Sequence, residues 1–271
     1  MSNIIGFKPP KESTTDRPVK SKNSGDKTTG RKSLVRVWFE NRSFECTYYN
    51  DEFDLKVGDI VFVEGKCEGE RGRVTDVSYS FKIKLSDYKR VIAVADTDVC
   101  GELSMLKEHL VSFDRDVLPY SKVYSWFAPP PDMQDMVESD DDTAFLLEDM
   151  KGFKVSSLIA DRGADYYSRN RVVYISIDNT SGKAIVLGTR PYTVEFSYQN
   201  GEIKNLRCDC YCVGACKHEV ATMLQLRDIL RELEDTHSDE LSDSTYFSAI
   251  YKPTFFTNAI FTKSGGKVIF G

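Results

Sequence analysis

Positions 208–218 read CDCYCVGACKH, which places four of the chain's seven cysteines and one of its three histidines within eleven residues. So dense a run of soft, ionisable side chains leaves few ways to fold. The segment must surround a metal ion, close a disulfide, expose a catalytic thiol, or bury neighbouring thiols. The surrounding sequence favours metal. The start, MSNIIGFKPPKE, lacks the apolar stretch of a secretory signal, and no apolar run approaches the roughly 20 residues that span a bilayer. The expectation is an intracellular, reducing, cytoplasmic location, where closely spaced cysteines bind metal more often than they pair. Cys46, Cys67 and Cys100 stand alone and read as small buried hydrophobes without a role.

Strand periodicity gives the cluster a geometry. Side chains at i and i+2 share a face, so Cys208 and Cys210 project together from the end of a strand. Five residues then turn the chain, with Gly214 free to take a backbone conformation that other residues disfavour. Cys216 and His218 arrive at the start of a helix. The resulting Cys3His set suits tetrahedral zinc, and soft thiolates with an imidazole favour zinc over magnesium or calcium, whose ligands are oxygens. Four protein ligands leave no open position, so a single Zn2+ here is structural. Other readings carry less. A Cys208–Cys210 disulfide closes a very tight ring, and a Cys216–His218 dyad leaves two cysteines without purpose. An iron–sulfur cluster would recruit Cys212 as a fourth thiolate, against which the histidine argues. Cys212 is the alternative metal ligand, in place of Cys208 or Cys210; we read it as a loop thiol.

The chain around this cluster divides by composition into five stretches. Residues 1–33 hold eight basic and three acidic residues and little apolar surface, which predicts a disordered basic tail. Residues 34–127 carry short β-rich runs separated by Gly and Asp, predicting a small β-barrel domain; GELSMLKEHL (101–110) reads as a short helix with Leu103, Leu106 and Leu110 on one face. Residues 128–149 open with Ala128-Pro129-Pro130-Pro131 and continue with acids and no Lys or Arg, predicting an extended linker. In 150–235, GFKVSSLIADRGADYYSRNRV is helical with a break at Gly163. VVYISID and KAIVLG are strands, and TVEFSYQNGEIKNLRCDC is a hairpin turning at Asn200-Gly201. HEVATMLQLRDILRELE is an amphipathic helix with Val220, Met223, Leu224, Leu226, Leu230 and Leu233 on its stripe. Residues 236–271 predict an acidic loop and an aromatic hairpin turning at Ser264-Gly265-Gly266. The expected fold class is α+β: an N-terminal SH3-like barrel and a C-terminal zinc-stabilised module.

Two resemblances sharpen this expectation. GDIVFVEGKCEGERGRV (58–74) resembles the KOW-type segment of SH3-like barrels, which bind RNA, DNA or protein. More specifically, C-x-C, a loop and C-x-H before an apolar helix resemble the SWIM-type zinc finger. GADYYSRNRV matches that family's G-x-x-Y-Y-x-x-G-x-V approach, with Asn170 where the family often has Gly; TRPYTVEF and CKHEVATML match its later strand and helix start. The likeness spans about residues 150–232. It implies Cys208, Cys210, Cys216 and His218 as zinc ligands, and DNA or protein as the bound partner.

Charge bears on that choice. The whole chain carries −6, yet residues 151–218 hold ten basic and six acidic residues. Arg162, Arg169, Arg171, Arg190, Lys204, Arg207 and Lys217 are therefore candidates for phosphate contact with DNA or RNA, or a solvated surface. The flanking acidic runs suit a protein partner better. No G-x-x-x-x-G-K-[ST] loop exists, because Ser264-Gly265-Gly266-Lys267 has the wrong spacing, and no other catalytic constellation stands out. The sequence thus predicts a non-enzymatic adaptor that binds nucleic acid or assists a nucleic-acid-remodelling partner, or a purely protein-binding scaffold such as a partner of a Swi/Snf-type ATPase.

Overall fold

The computed structural model of the chain describes residues 30–131, 144–259 and 268–270. The basic tail through residue 29, the linker stretch 132–143 and the turn at Ser264-Gly265-Gly266 lie outside the described residues. The described residues divide into two compact units, one over 30–96 with 125–131 and a larger one over 97–124, 144–259 and 268–270.

The smaller unit is a five-stranded sheet of β1 (Ser33–Phe39), β2 (Phe44–Asn50), β3 (Ile60–Val63), β4 (Gly72–Ser78) and β5 (Val91–Val94), in the order β2-β1-β4-β3-β5. Strict alternation builds it: Val35, Val37 and Phe39 are fully buried while Arg36 and Trp38 face outward. At Gly72 a Cβ would fall 2.2 Å from Val37 Cγ1, so only glycine lets β4 lie this close over the core. The expected SH3-like barrel is not present, since neither sheet closes among the described residues. The edge strand β2 meets the residue just before β5 at a single bridge, Tyr49 to Arg90, beside a Tyr49 N–H to Lys89 O bond of 2.9 Å. Because β5 has only four residues, already paired along β3, no ladder zips the two edges together.

The larger unit carries β6 (Gly101–Leu106), β7 (His109–Ser112), α1 (Tyr120–Ser125), β8 (Ala144–Leu146), α2 (Ser157–Ser168), β9 (Val172–Asp178), β10 (Ser181–Leu187), β11 (Pro191–Gln199) and β12 (Glu202–Cys208). After these come α3 (Lys217–Thr236), α4 (Ser238–Asp243), β13 (Tyr246–Tyr251), α5 (Lys252–Asn258) and β14 (Val268–Phe270). Its strands form one nine-stranded sheet, ordered β14-β6-β7-β13-β9-β10-β11-β12-β8 and antiparallel except where β14 joins β6. The α+β class therefore holds.

Three local expectations change. Residues 101–110 form a hairpin, not a helix. Lys107 takes a left-handed turn at φ 42°, and β7 pairs with β13, so Leu103, Leu106 and Leu110 are buried from a sheet. Residues 252–258 are helical rather than the first arm of a hairpin, because Pro253 at the helix start needs no N–H partner there and its fixed φ suits the first turn. Gly163 does not break a helix. It lies inside α2 as that helix's buried residue, facing α3.

α3 is the long amphipathic helix the periodicity predicts. Val220, Met223, Leu226, Leu230 and Leu233 are buried, joined by Ile229, while Leu224 sits half-buried at the edge of the stripe. These side chains cover a sheet face made by Ile175, Ile177, Ala184, Val186, Val194 and Phe196. α2 packs on the first turns of α3 through Gly163, where a Cβ would fall 2.4 Å from Val220 Cβ and Cγ1 and 3.2 Å from Lys217 O. That close approach fixes the direction from which α3 leaves the cysteine loop.

Candidate metal centre

The β11–β12 hairpin turns at Asn200 and Gly201, both at positive φ (52° and 82°), as the Asn-Gly pair demands. β12 ends on Cys208, and Cys210 lies in the bend just beyond the strand end. Asp209 locks this bend to β11. Its carboxylate accepts from Thr193 N–H at 3.0 Å and from Arg190 Nη1 at 3.0 Å, and its own N–H donates to Thr193 O at 3.1 Å. Gly214, at φ 78°, turns the loop back with nothing near its missing side chain. Cys216 is the N-cap of α3. Its sulfur accepts from the backbone N–H of Glu219, and its own N–H donates to Glu219 Oε2 at 2.7 Å, closing a capping box. The buried Glu219 carboxylate thereby satisfies the helix end beside the cluster.

These elements bring Cys208, Cys210, Cys216 and His218 together, with one ligand-type atom from each lying within 4.8 Å of all the others. His218 Nδ1 faces Cys208 Sγ at 3.5 Å and Cys216 Sγ at 3.8 Å. A tetrahedron with Zn–S bonds of about 2.3 Å and a Zn–N bond of about 2.0 Å separates sulfur from nitrogen by about 3.5 Å. The two sulfur–nitrogen distances lie close to that value, and a small inward movement of the side chains would complete the shell. Cys212 is exposed and stands outside the group.

Charge supports the same fit. Cys216 is held well down, to about 4, first by the thiol hydrogen of Cys208 and then by His218 and the Glu219 N–H, against the opposing effect of burial. Cys208 is pushed up by donating to Cys216 and by burial, and burial pushes Cys210 up to about 12. Left to themselves the thiols support one thiolate at the expense of the other two. A divalent cation at their centre would stabilise all three.

The imidazole is fixed from both sides. The Tyr192 ring stacks on His218 at 4.1 Å between centroids, and Tyr166 meets it edge-on at 5.4 Å. Lys217 lies over Tyr166 at 4.4 Å and Arg190 over Tyr192 at 4.5 Å. Among the described residues His218 Nε2 is buried without a partner, so Nδ1, which faces the thiols, is the nitrogen placed for a metal. Sequence reasoning did not find this aromatic clamp or the role of Glu219. The Cys216-x-x-Glu219 spacing is that of a capping box and carried a signal for the latter. Asn170, in the position where the SWIM pattern often has Gly, lies at φ 51°, a left-handed conformation that Asn tolerates better than most side chains.

The other candidate residues fare unevenly. Arg169 pairs with Asp165 at 2.9 Å, Arg190 with Asp209 at 3.0 Å, Lys204 with Glu202 at 2.7 Å and Arg207 with Glu195 at 2.8 Å. Lys217 is engaged with Tyr166, whereas Arg162 on α2 and Arg171 before β9 make no side-chain ion pair among the described residues. Of the isolated cysteines only Cys67 is buried; Cys46 and Cys100 are exposed, because they fall on an outward strand position and in a loop. No described helix is long and apolar enough to cross a membrane. Comparison with protein families, with curated proteins and with solved structures finds no match for this chain. Its residues together form a Cys3His cluster of the kind a zinc-finger-like module carries.

Proposed function

We propose that Cys208, Cys210, Cys216 and His218 hold one structural Zn2+, and that the zinc-bearing unit is a non-enzymatic, SWIM-type binding module that presents the loop between its ligands to a protein partner. The observation that carries the partner class is the tip of that loop. Tyr211 is 98 % exposed and Val213 104 % exposed, although the cluster pins the loop at both ends. A loop tethered at both ends by a bound metal, offering an aromatic and a branched aliphatic side chain to solvent, would lose less freedom on binding than an untethered one, which is how interface anchors work. Phosphate contact is less well supported, since four of the seven candidate basic residues are already neutralised by carboxylates. The SWIM likeness suggests a Swi/Snf-type ATPase as the partner class.

A photo-crosslinking residue at position 211 of the zinc-loaded chain tests this reading in cells. Capture of one protein, lost when Val213→Ala is added while zinc content stays unchanged, supports it. Fluorescence anisotropy with single- and double-stranded DNA and with RNA supplies the opposing arm. Micromolar binding that weakens steeply with salt would replace the protein-binding reading with a nucleic-acid one.

A further inference from the structure

Alternation along β12 changes phase before the strand reaches the cysteines. Tyr198 and Ile203 stand opposite one another, and both belong to the core that α3 covers. In a regular strand every second residue from Ile203 would share that face, so Asn205, Arg207 and Asp209 would lie beneath α3. Leu206 and Cys208 would then turn to the other side of the sheet. The reverse is found. Leu206 lies in the core and Cys208 packs against it, while Asn205 and Arg207 are exposed.

The register locates the change. Ser197 pairs with Lys204 and Glu195 with Arg207, so Phe196 stands opposite two residues, Asn205 and Leu206. One extra residue against one partner is a β-bulge. Within it Asn205 takes φ 52°, a left-handed conformation that glycine and asparagine visit and branched side chains avoid. Its Nδ2 donates to Ser197 Oγ at 3.3 Å, across the bulge. A slip of one residue moves every later side chain to the opposite face. The offset of two puts Cys208 and Cys210 on a shared side; the bulge decides which side that is.

We infer that Asn205 is a positioning residue for the Cys3His cluster: its left-handed bulge turns Cys208, and Cys210 with it, toward Cys216 and His218. The inference rests on the zinc reading and adds a residue outside the ligand set. The Asn205 side chain bonds Ser197 and no ligand, so it acts through the backbone of β12. Two substitutions separate backbone from side chain. Asn205→Gly removes the amide and keeps the conformation; Asn205→Val opposes the conformation. Deleting Asn205 supplies a third arm. The ladder becomes regular with the same pairs, Lys204 with Ser197, Arg207 with Glu195 and Cys208 with Val194, and Cys208 stays on the α3 side.

The full chain and its three variants are titrated with cobalt(II), whose thiolate charge-transfer band reports cysteine ligation, and zinc affinity is then read by displacement of the cobalt. Asn205→Val should bind zinc at least about tenfold more weakly than the parent, the cost of holding a branched residue left-handed. Its charge-transfer band should also be weaker, because Cys208 and Cys210 leave the shell. Asn205→Gly and the deletion should match the parent in band intensity and, within about threefold, in affinity. Parent-like binding by Asn205→Val overturns the inference while leaving the zinc reading in place. Loss of binding in Asn205→Gly or in the deletion overturns it too, since the asparagine side chain would then matter beyond the bulge. A parent chain without a thiolate band sinks the zinc reading and this inference together.

Discussion

Replacing Gly163 by alanine separates helix propensity from helix packing. In a free helix the change stabilises, since alanine is preferred over glycine by about 1 kcal/mol. Here the new methyl group would sit 2.4 Å from Val220 Cβ and Cγ1, where carbon atoms normally stay about 3.5–4.0 Å apart. The atoms in the way belong to a stiff, branched side chain and, at 3.2 Å, to the Lys217 carbonyl, so α2 must move outward by about 1 Å. Overpacking of this kind costs about 1–3 kcal/mol. Set against the propensity gain, the net loss is about 0–2 kcal/mol, or a Tm lower by up to about 8 °C for a domain of this size. Helices α2 to α5 all belong to the larger unit, so thermal unfolding followed at 222 nm reads the right transition. Because Val220 is one turn from Cys216, zinc should also be retained less tightly under competition with a chelator. Ala164→Gly, on the exposed side of the same helix, should cost about 1 kcal/mol by propensity alone. A Tm raised by Gly163→Ala, with zinc affinity unchanged, would show that α2 does not pack against the start of α3.

Two further outcomes follow from burial and exposure. His109 has its imidazole pushed down from 6.5 to about 4 by burial and by Lys252, so the unfolded chain binds the proton more readily than the folded one. The corresponding stability, about 3 kcal/mol, is present above pH 6.5 and lost as the pH falls towards 4. The His109 ring proton should titrate near pH 4 by NMR, and a midpoint near 6.5 would refute its burial. With zinc bound, iodoacetamide should modify the exposed Cys46, Cys100 and Cys212 and spare Cys208, Cys210 and Cys216. Mass mapping that finds the cluster alkylated at the same rate as Cys212 would contradict its ligation.

Local, periodic features were the legible part of this chain. The Asn200-Gly201 turn, the α3 stripe and the convergence of three cysteines and a histidine follow from offsets of two, three and four residues, which backbone geometry alone dictates. What escaped depended on contacts distant in sequence. The leucines of 101–110 satisfy helical spacing, yet their burial comes from pairing with β13, more than a hundred residues later. Gly163 reads as a breaker until Val220 is placed against it. The barrel expectation rested on glycine and strand spacing, which specify strands but not whether the two edges meet. At the Cys3His cluster the cysteines and histidine declared themselves, whereas Tyr166 and Tyr192 joined it only once the sheet and α2 brought them to the His218 ring.

The central claim is most directly tested by counting zinc per chain, by elemental mass spectrometry, in protein purified without added metal. One zinc per chain is expected in the parent and in Cys212→Ser, and none in Cys216→Ser or His218→Ala, with helical signal lost when chelator strips the parent. A folded chain that arrives without metal, or zinc lost from Cys212→Ser but kept in Cys208→Ser, would contradict the account.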